Sequence, residues 1–170
     1  MKVKYFDKSL PEIGKIGGKS DWIDLYSRVN MFILEGQSAV IPLNVAIELP
    51  AGYEAHIVPR SSTFKNYGLI QTNHMGIVDE SYCGDNDEWK MPVHCIHGIQ
   101  YAYRDYDGGM CVVTDMEKAP KGMSLFKGTW IAAGDRLCQF RLMEHMPAVE
   151  LETVDHLEGT DRGGFGTTGR

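Results

Sequence analysis

From Ile41 to Leu49 every odd-numbered residue is apolar: Ile41, Leu43, Val45, Ile47 and Leu49. A strict period of two places such residues on one face of a pleated strand, whereas a helix would scatter them around its surface. No stretch of the chain sustains a helical period through three turns. The most helix the sequence supports is one short turn near Thr63 to Tyr67. Short alternating or apolar runs recur instead at residues 1–6, at Asp21 to Ser27 and, after a Pro50-Ala51-Gly52 turn, at Tyr53 to Val58. They continue at Glu88 to Ile99, Met110 to Thr114, Thr129 to Ala133, Gly134 to Met143 and Val149 to Val154. Many short strands with turn residues between them predict an all-β sandwich or barrel. A length of 170 residues fits a single domain, and there is neither a repeat nor a boundary to divide it.

The chemistry concentrates between Pro59 and Asp85, PRSSTFKNYGLIQTNHMGIVDESYCGD. Arg60, Ser61 and Ser62 offer a fork of donors and two small hydroxyls, a set suited to anionic oxygens. Further on, Gly76 and Gly84 bracket Ile77, Val78, Asp79 and Tyr82, which reads as a hairpin. An acid held rigidly on such a hairpin suits a general base, although an ordinary turn with a solvated Asp fits the same residues. The Gly18-Lys19-Ser20 triplet is no P-loop, because Ile13 stands where that motif needs its first glycine. The last twelve residues, GTDRGGFGTTGR, hold five glycines. They read either as a disordered terminus or as a flexible arm that orders over a phosphate and an aromatic ring.

Charge and cysteines narrow the class. A net charge of −6 argues against a general attraction to nucleic acid or anionic membrane, so any phosphate ligand must be held locally. Cys83, Cys95, Cys111 and Cys138 form no CxxC pair, which favours free thiols in a reducing compartment. No apolar signal core opens the chain and no run is long enough to span a membrane, so a soluble cytoplasmic protein is expected. His94 and His97 would point to opposite faces of a strand and read as structural. Cys83 reads as a small packing residue. Trp89 has two readings, an aromatic wall beside a ligand or a core or interface tryptophan.

Five segments in order, DWIDLYS (21–27), PRSSTFKNYGL (59–69), NHMGIVDESYCGD (73–85), GDRLCQF (134–140) and RGGFGTTG (162–169), resemble the trimeric all-β dUTPases, most of all those of Bacillus and of phages of Gram-positive bacteria. The resemblance implies a jelly-roll-like distorted β-barrel over 1–170, a flexible C-terminal arm at 159–170, and a homotrimer with shared active sites. It implies hydrolysis of dUTP to dUMP and pyrophosphate, keeping uracil out of DNA and supplying dUMP for thymidylate synthesis. Asp79 would be the base that activates water, and Tyr82 would pack under the deoxyribose. Asn73 and the backbone at Gly76 and Ile77 would read uracil. Arg60, Ser61, Ser62 and Gln139 would hold the phosphates. Asp24 would reach, through water, a Mg²⁺ carried mainly by those phosphates. Arg162, Phe165, Gly166, Thr167 and Thr168 would close over the nucleotide. Residues 97–127 lengthen a connection that is short in relatives with this motif style. They carry Tyr101, Tyr103 and Tyr106 before an Asp-Gly-Gly turn, and read as an inserted β-hairpin that either pads the trimer or meets a protein partner. Three rival functions remain at this point: a dCTP deaminase of the same fold, a phage regulator that binds a repressor through 97–127, and a pseudoenzyme that binds dUTP without cleaving it.

Overall fold

Alternation dictates strands, and the computed structural model, which describes residues 1–14 and 20–161, is built almost wholly of them. In chain order they are β1 (Lys2–Tyr5), β2 (Ile23–Tyr26), β3 (Met31–Leu34), β4 (Ser38–Pro42), β5 (Val45–Glu48), β6 (Tyr53–Pro59), β7 (Leu69–Gln71), β8 (Gly76–Val78), β9 (Lys90–Cys95), β10 (Gln100–Arg104), β11 (Met110–Val113), β12 (Phe126–Ile131) and β13 (Arg136–Glu144). A single helical turn, α1 (Thr63–Tyr67), stands where the sequence allows one. It stops at Gly68, whose φ of 63° is left-handed and whose missing Cβ would lie 1.7 Å from the His97 carbonyl oxygen. No side chain fits there.

The strands form a sheet in the order β2-β13-β6-β8, a second in the order β11-β10-β12-β3, a three-stranded sheet β4-β9-β7 and the pair β1-β5. Their inner faces enclose one core of Leu25, Ile41, Leu43, Ile57, Met91 and Phe140, among others. Trp89 belongs to it: the side chain is 1% exposed and meets the Phe140 ring edge-on at 5.1 Å. The core reading of Trp89 therefore holds over the exposed aromatic wall. Among the described residues no helix is long and apolar enough to cross a membrane.

Several sequence expectations need correction. Ile41 to Leu49 is not one strand. All five odd residues are buried, but Asn44 takes a φ of 67° and breaks the run into β4 and β5. Burial alone kept the alternation intact across the bend. Residues 76–84 do not form a hairpin: β8 pairs only with β6, and the chain beyond Val78 turns without a returning partner strand. Cys83 is exposed rather than packed. Val149 to Val154 makes no strand: among the described residues none pairs with it, and Leu151 is 93% exposed there. In β13 a register shift between Arg136 and Cys138 lets Leu137 and Cys138 both turn inward, which simple alternation forbids. The 97–127 segment does carry a hairpin, β10 with β11, turning at Gly108 (φ 85°). It extends the sheet through β12 rather than standing free, and Ala102 within it is fully buried.

The bend at Asn44 is tied down by charge. The Glu88 carboxylate, 7% exposed, accepts from Arg28 Nε at 2.7 Å and Nη2 at 2.9 Å, and from the Asn44 backbone N–H at 3.1 Å. The pair also holds the Arg28 guanidinium above its ordinary pKa, mainly through the hydrogen bond to Glu88. The Asn44 side chain accepts from the Asp7 N–H and donates to the Asp7 carbonyl. Glu88→Ala leaves a guanidinium and a buried N–H unpaired, so it should cost about 3 kcal/mol in urea denaturation. A loss below about 1 kcal/mol would show that solvent replaces the carboxylate easily.

Candidate active site

One sheet carries several of the sequence-predicted site residues. Asp24 lies on β2, Gln139 opposite it on β13, and Val58 of β6 opposite Gln139. Two residues beyond Val58, the chain leaves β6 at Arg60. The turn from Arg60 to Thr63 is pinned to β13: the Arg60 and Leu137 backbones are bonded at 3.2 Å, and the Thr63 hydroxyl donates to the Leu137 carbonyl. That anchorage leaves Ser61 exposed and Ser62 half-buried beside it.

Asp24 is the electrostatic hub of this end. It is 3% exposed, and its two oxygens meet Arg60 Nε at 3.0 Å and Arg136 Nη1 at 3.4 Å. One carboxylate thus orients two guanidiniums and leaves a net positive cluster in an acidic chain. Arg136 was not singled out from the sequence, although it stands within the GDRLCQF stretch. The register shift that places it beside Asp24 leaves no mark in the residue pattern.

Asp79 sits at the other end. Val78 pairs with Ala55, so Asp79 leaves the sheet near Glu54. Arg60 is six residues along β6 from Glu54, a backbone span of about 20 Å at roughly 3.3 Å per residue. The structure therefore brings Asp24, Arg60, Ser61, Ser62 and Gln139 together and holds Asp79 and Tyr82 apart from them. Ile77, Val78, Asp79, Tyr82, Glu88, Trp89 and Lys90 line a cavity of about 280 Å³.

The Asp79 carboxylate is exposed yet held. Oδ1 accepts from the Ser81 hydroxyl and from the Ser81 N–H at 2.8 Å, while the Tyr82 N–H bonds back to the Asp79 carbonyl at 3.2 Å. The Ser81 hydroxyl is the first cause, and the Ser81 N–H the second, of a pKa below the ordinary carboxylate value. The local Asp-x-Ser pattern was the available signal for Ser81. Earlier on the same strand, Gly76 lies opposite Ile57, and a Cβ added there would meet Ile57 Cβ at 3.3 Å, Gln71 Nε2 at 3.5 Å and Asn73 Nδ2 at 3.7 Å. Any side chain at Gly76 would crowd that amide pair. Arg162, Phe165, Gly166, Thr167 and Thr168 lie outside the described residues.

The dUTPase family pattern matches residues 21–87. A prophage SPbeta-derived deoxyuridine 5'-triphosphate nucleotidohydrolase of Bacillus subtilis is 46% identical over 169 residues, covering 99% of this chain and 97% of that protein. The chain belongs to the dUTPase family. Among solved structures, the dUTPase of Staphylococcus bacteriophage 80alpha with dUPNHPP superposes with a TM-score of 0.73 at 22% identity, over 99% of this chain and 97% of that one. A variant dUTPase of phage phi11 of S. aureus, described as showing the coordination of a structural Mg(II) ion, gives 0.68 at 18% identity, over 93% and 98%. These two likenesses show the fold, and the all-β expectation stands with it.

Ser81→Ala removes the hydroxyl that depresses the Asp79 pKa. That pKa should then rise toward the ordinary carboxylate range, and the lower edge of the pH range in which Asp79 is ionised should move up with it. Carboxyl-carbon NMR titration reads the shift directly. An unchanged Asp79 titration would assign the depression to the backbone alone.

Proposed function

We propose that the chain hydrolyses dUTP to dUMP and pyrophosphate by attack of water on the α-phosphorus, and that a homotrimer assembles its sites. The observation that carries the reading is Asp79, kept ionised and rigid, beside Tyr82 at one cavity in a dUTPase-family chain. Asp79 acts as general base on the attacking water, and Tyr82 packs under the deoxyribose and excludes a 2'-hydroxyl. Asn73 and the backbone of Gly76 and Ile77 face uracil. Arg60, Ser61, Ser62 and Gln139 hold the phosphate chain.

A nucleoside triphosphate carries nearly four negative charges, so clustered donors aimed at developing charge are the main source of acceleration. The Asp24–Arg60–Arg136 cluster supplies fixed positive charge of this kind. The separation of Asp79 from Arg60 supports sites shared between subunits, since one chain alone does not bring base and phosphate cradle together. Ile77 at 59% and Leu151 at 93% exposure are apolar surface of the sort such an assembly would cover. The tail residues Arg162, Phe165, Gly166, Thr167 and Thr168 close over the nucleotide in this scheme.

The donor set suits Mg²⁺ held mostly by substrate. Among the described residues no three His, Cys, Asp or Glu groups gather to bind a metal unaided, and Mg²⁺ prefers phosphate and water oxygens with one or two carboxylates. Asp24 spends one lone pair per oxygen on its arginines and keeps others for a metal-bound water. When bound, the ion neutralises phosphate charge. The four cysteines, all unpaired, fit a reducing cytoplasm. A second role, contact with a protein partner through 97–127, is favoured by Tyr106, which is 96% exposed at the turn between β10 and β11.

The test is pyrophosphate release with Mg²⁺ from dUTP, dCTP, dTTP and UTP. Turnover of dUTP alone is expected. Asp79→Asn should lose roughly a hundredfold or more in kcat while still binding dUTP. Release from no nucleotide, or an Asp79→Asn variant of undiminished kcat, would overturn the reading. Ammonia release from dCTP would turn it toward a deaminase.

A further inference from the structure

Gln71 is a buried polar residue that the proposed chemistry leaves without a task. It closes β7, is 4% exposed and pairs with Val93 of β9. Its Nε2 donates to the Ile57 carbonyl at 3.2 Å and to Asn73 Oδ1 at 2.8 Å, while its Oε1 is buried with no partner. A buried acceptor left unpaired costs stability that an apolar side chain of the same size would not. Packing therefore does not explain an amide here, but its two donors do.

The sense of each amide in this chain of bonds follows from the first acceptor. A backbone carbonyl can only accept, so the Ile57 oxygen requires a donor, and Gln71 must turn Nε2 toward it. The second N–H of that nitrogen then points at Asn73, which must answer with Oδ1. Asn73 is left with Nδ2, a donor, for anything outside. Asn73 itself is exposed, and nothing else among its described side-chain contacts sets which end faces out. Gly76, with no side chain, lies against both amides.

We infer that Gln71 is a specificity-determining positioning residue: it fixes Asn73 as a donor, and so selects a base with a carbonyl at position 4 over one with an amino group there. Uracil presents O4 at that edge and accepts. Cytosine presents N4–H₂, a donor that would face another donor. A site built around one hydrogen-bonding sense rejects the reversed partner because polar groups stay unpaired on both sides. The inference rests on the proposed placement of Asn73 beside the base.

The experiment is steady-state kinetics with dUTP and dCTP on the full chain and on Gln71→Glu, Gln71→Met and Asn73→Ala. Gln71→Glu keeps the shape but removes both donors, so Asn73 should turn its amide and offer Oδ1. The expected result is a dUTP KM raised roughly tenfold, about the worth of one hydrogen bond, with kcat within about twofold. The dUTP-to-dCTP ratio of kcat/KM should narrow at the same time. Gln71→Met, which buries no charge, should show the same trend more weakly, and it decides the matter if Gln71→Glu does not fold. A role in stability alone would lower Tm without moving that ratio. If Asn73→Ala raises the dUTP KM while folded Gln71 variants keep the wild-type ratio, the inference fails and the placement of Asn73 stands. If Asn73→Ala leaves both KM and ratio unchanged, the placement fails and the inference with it.

Discussion

Strand β6 is paired to β13 along its whole length, from Cys138 opposite Pro59 to Glu144 opposite Tyr53, and the site depends on that pairing. On its other edge β6 holds β8. Backbone hydrogen bonds within a buried sheet leave little freedom to slide, because a slip of one residue would turn Ile57 and Ala55 out of the core and Val58 and His56 into it. The sheet therefore fixes two placements at once: the β2–β13 ladder sets Gln139 against Asp24 at one end, and the β6–β8 ladder carries Asp79 off at the other. The separation of the two ends within one chain is what motivates the proposed sharing of sites between copies.

Each end is then tuned by a different kind of interaction. At the end proposed to hold phosphate the tuning is electrostatic, with the nearly buried Asp24 holding two guanidiniums in place. Without that acid the arginines would repel each other and swing toward solvent. With it they are oriented before any anion arrives, which is the condition under which fixed charge is worth most. At the end proposed to face the base the tuning is by hydrogen-bond sense, relayed from the Ile57 carbonyl through Gln71 to Asn73. Both devices are rooted in β6 or β13. The Glu88–Arg28 pair secures the far end of the loop that follows Asp79 to the bend at Asn44.

The sequence exposed what repeats locally and hid what depends on partners. The odd-numbered run from Ile41 to Leu49 announced burial correctly, yet not the left-handed Asn44 that cuts it, because a bend that preserves alternation leaves the pattern untouched. The helical turn at Thr63 to Tyr67 was legible because Gly68 ends it. Arg60, Gln139 and Asp24 could be grouped through their motifs, and the sheet does group them. Arg136 could not, since a register shift has no compositional mark. Val149 to Val154 has strand composition without a strand, for composition reports an appetite for pairing and a single chain offers that segment no edge.

The depressed pKa of Asp79 raises a question of basicity that the arrangement itself answers. A carboxylate held by the Ser81 hydroxyl and the Ser81 backbone N–H is a weaker base than a free one, since the same donors that keep it ionised also hold its lone pairs. In the proposed complex a triphosphate brings nearly four negative charges toward that carboxylate. Like charge raises a carboxyl pKa, so Asp79 becomes more basic as substrate enters, and most so where the phosphate charge is least neutralised. The guanidiniums oriented by Asp24 work in the opposite direction, drawing that charge away from the base. In the proposed scheme the groups that hold the phosphates are distinct from the carboxylate that takes the proton, so each can be tuned by its own neighbours.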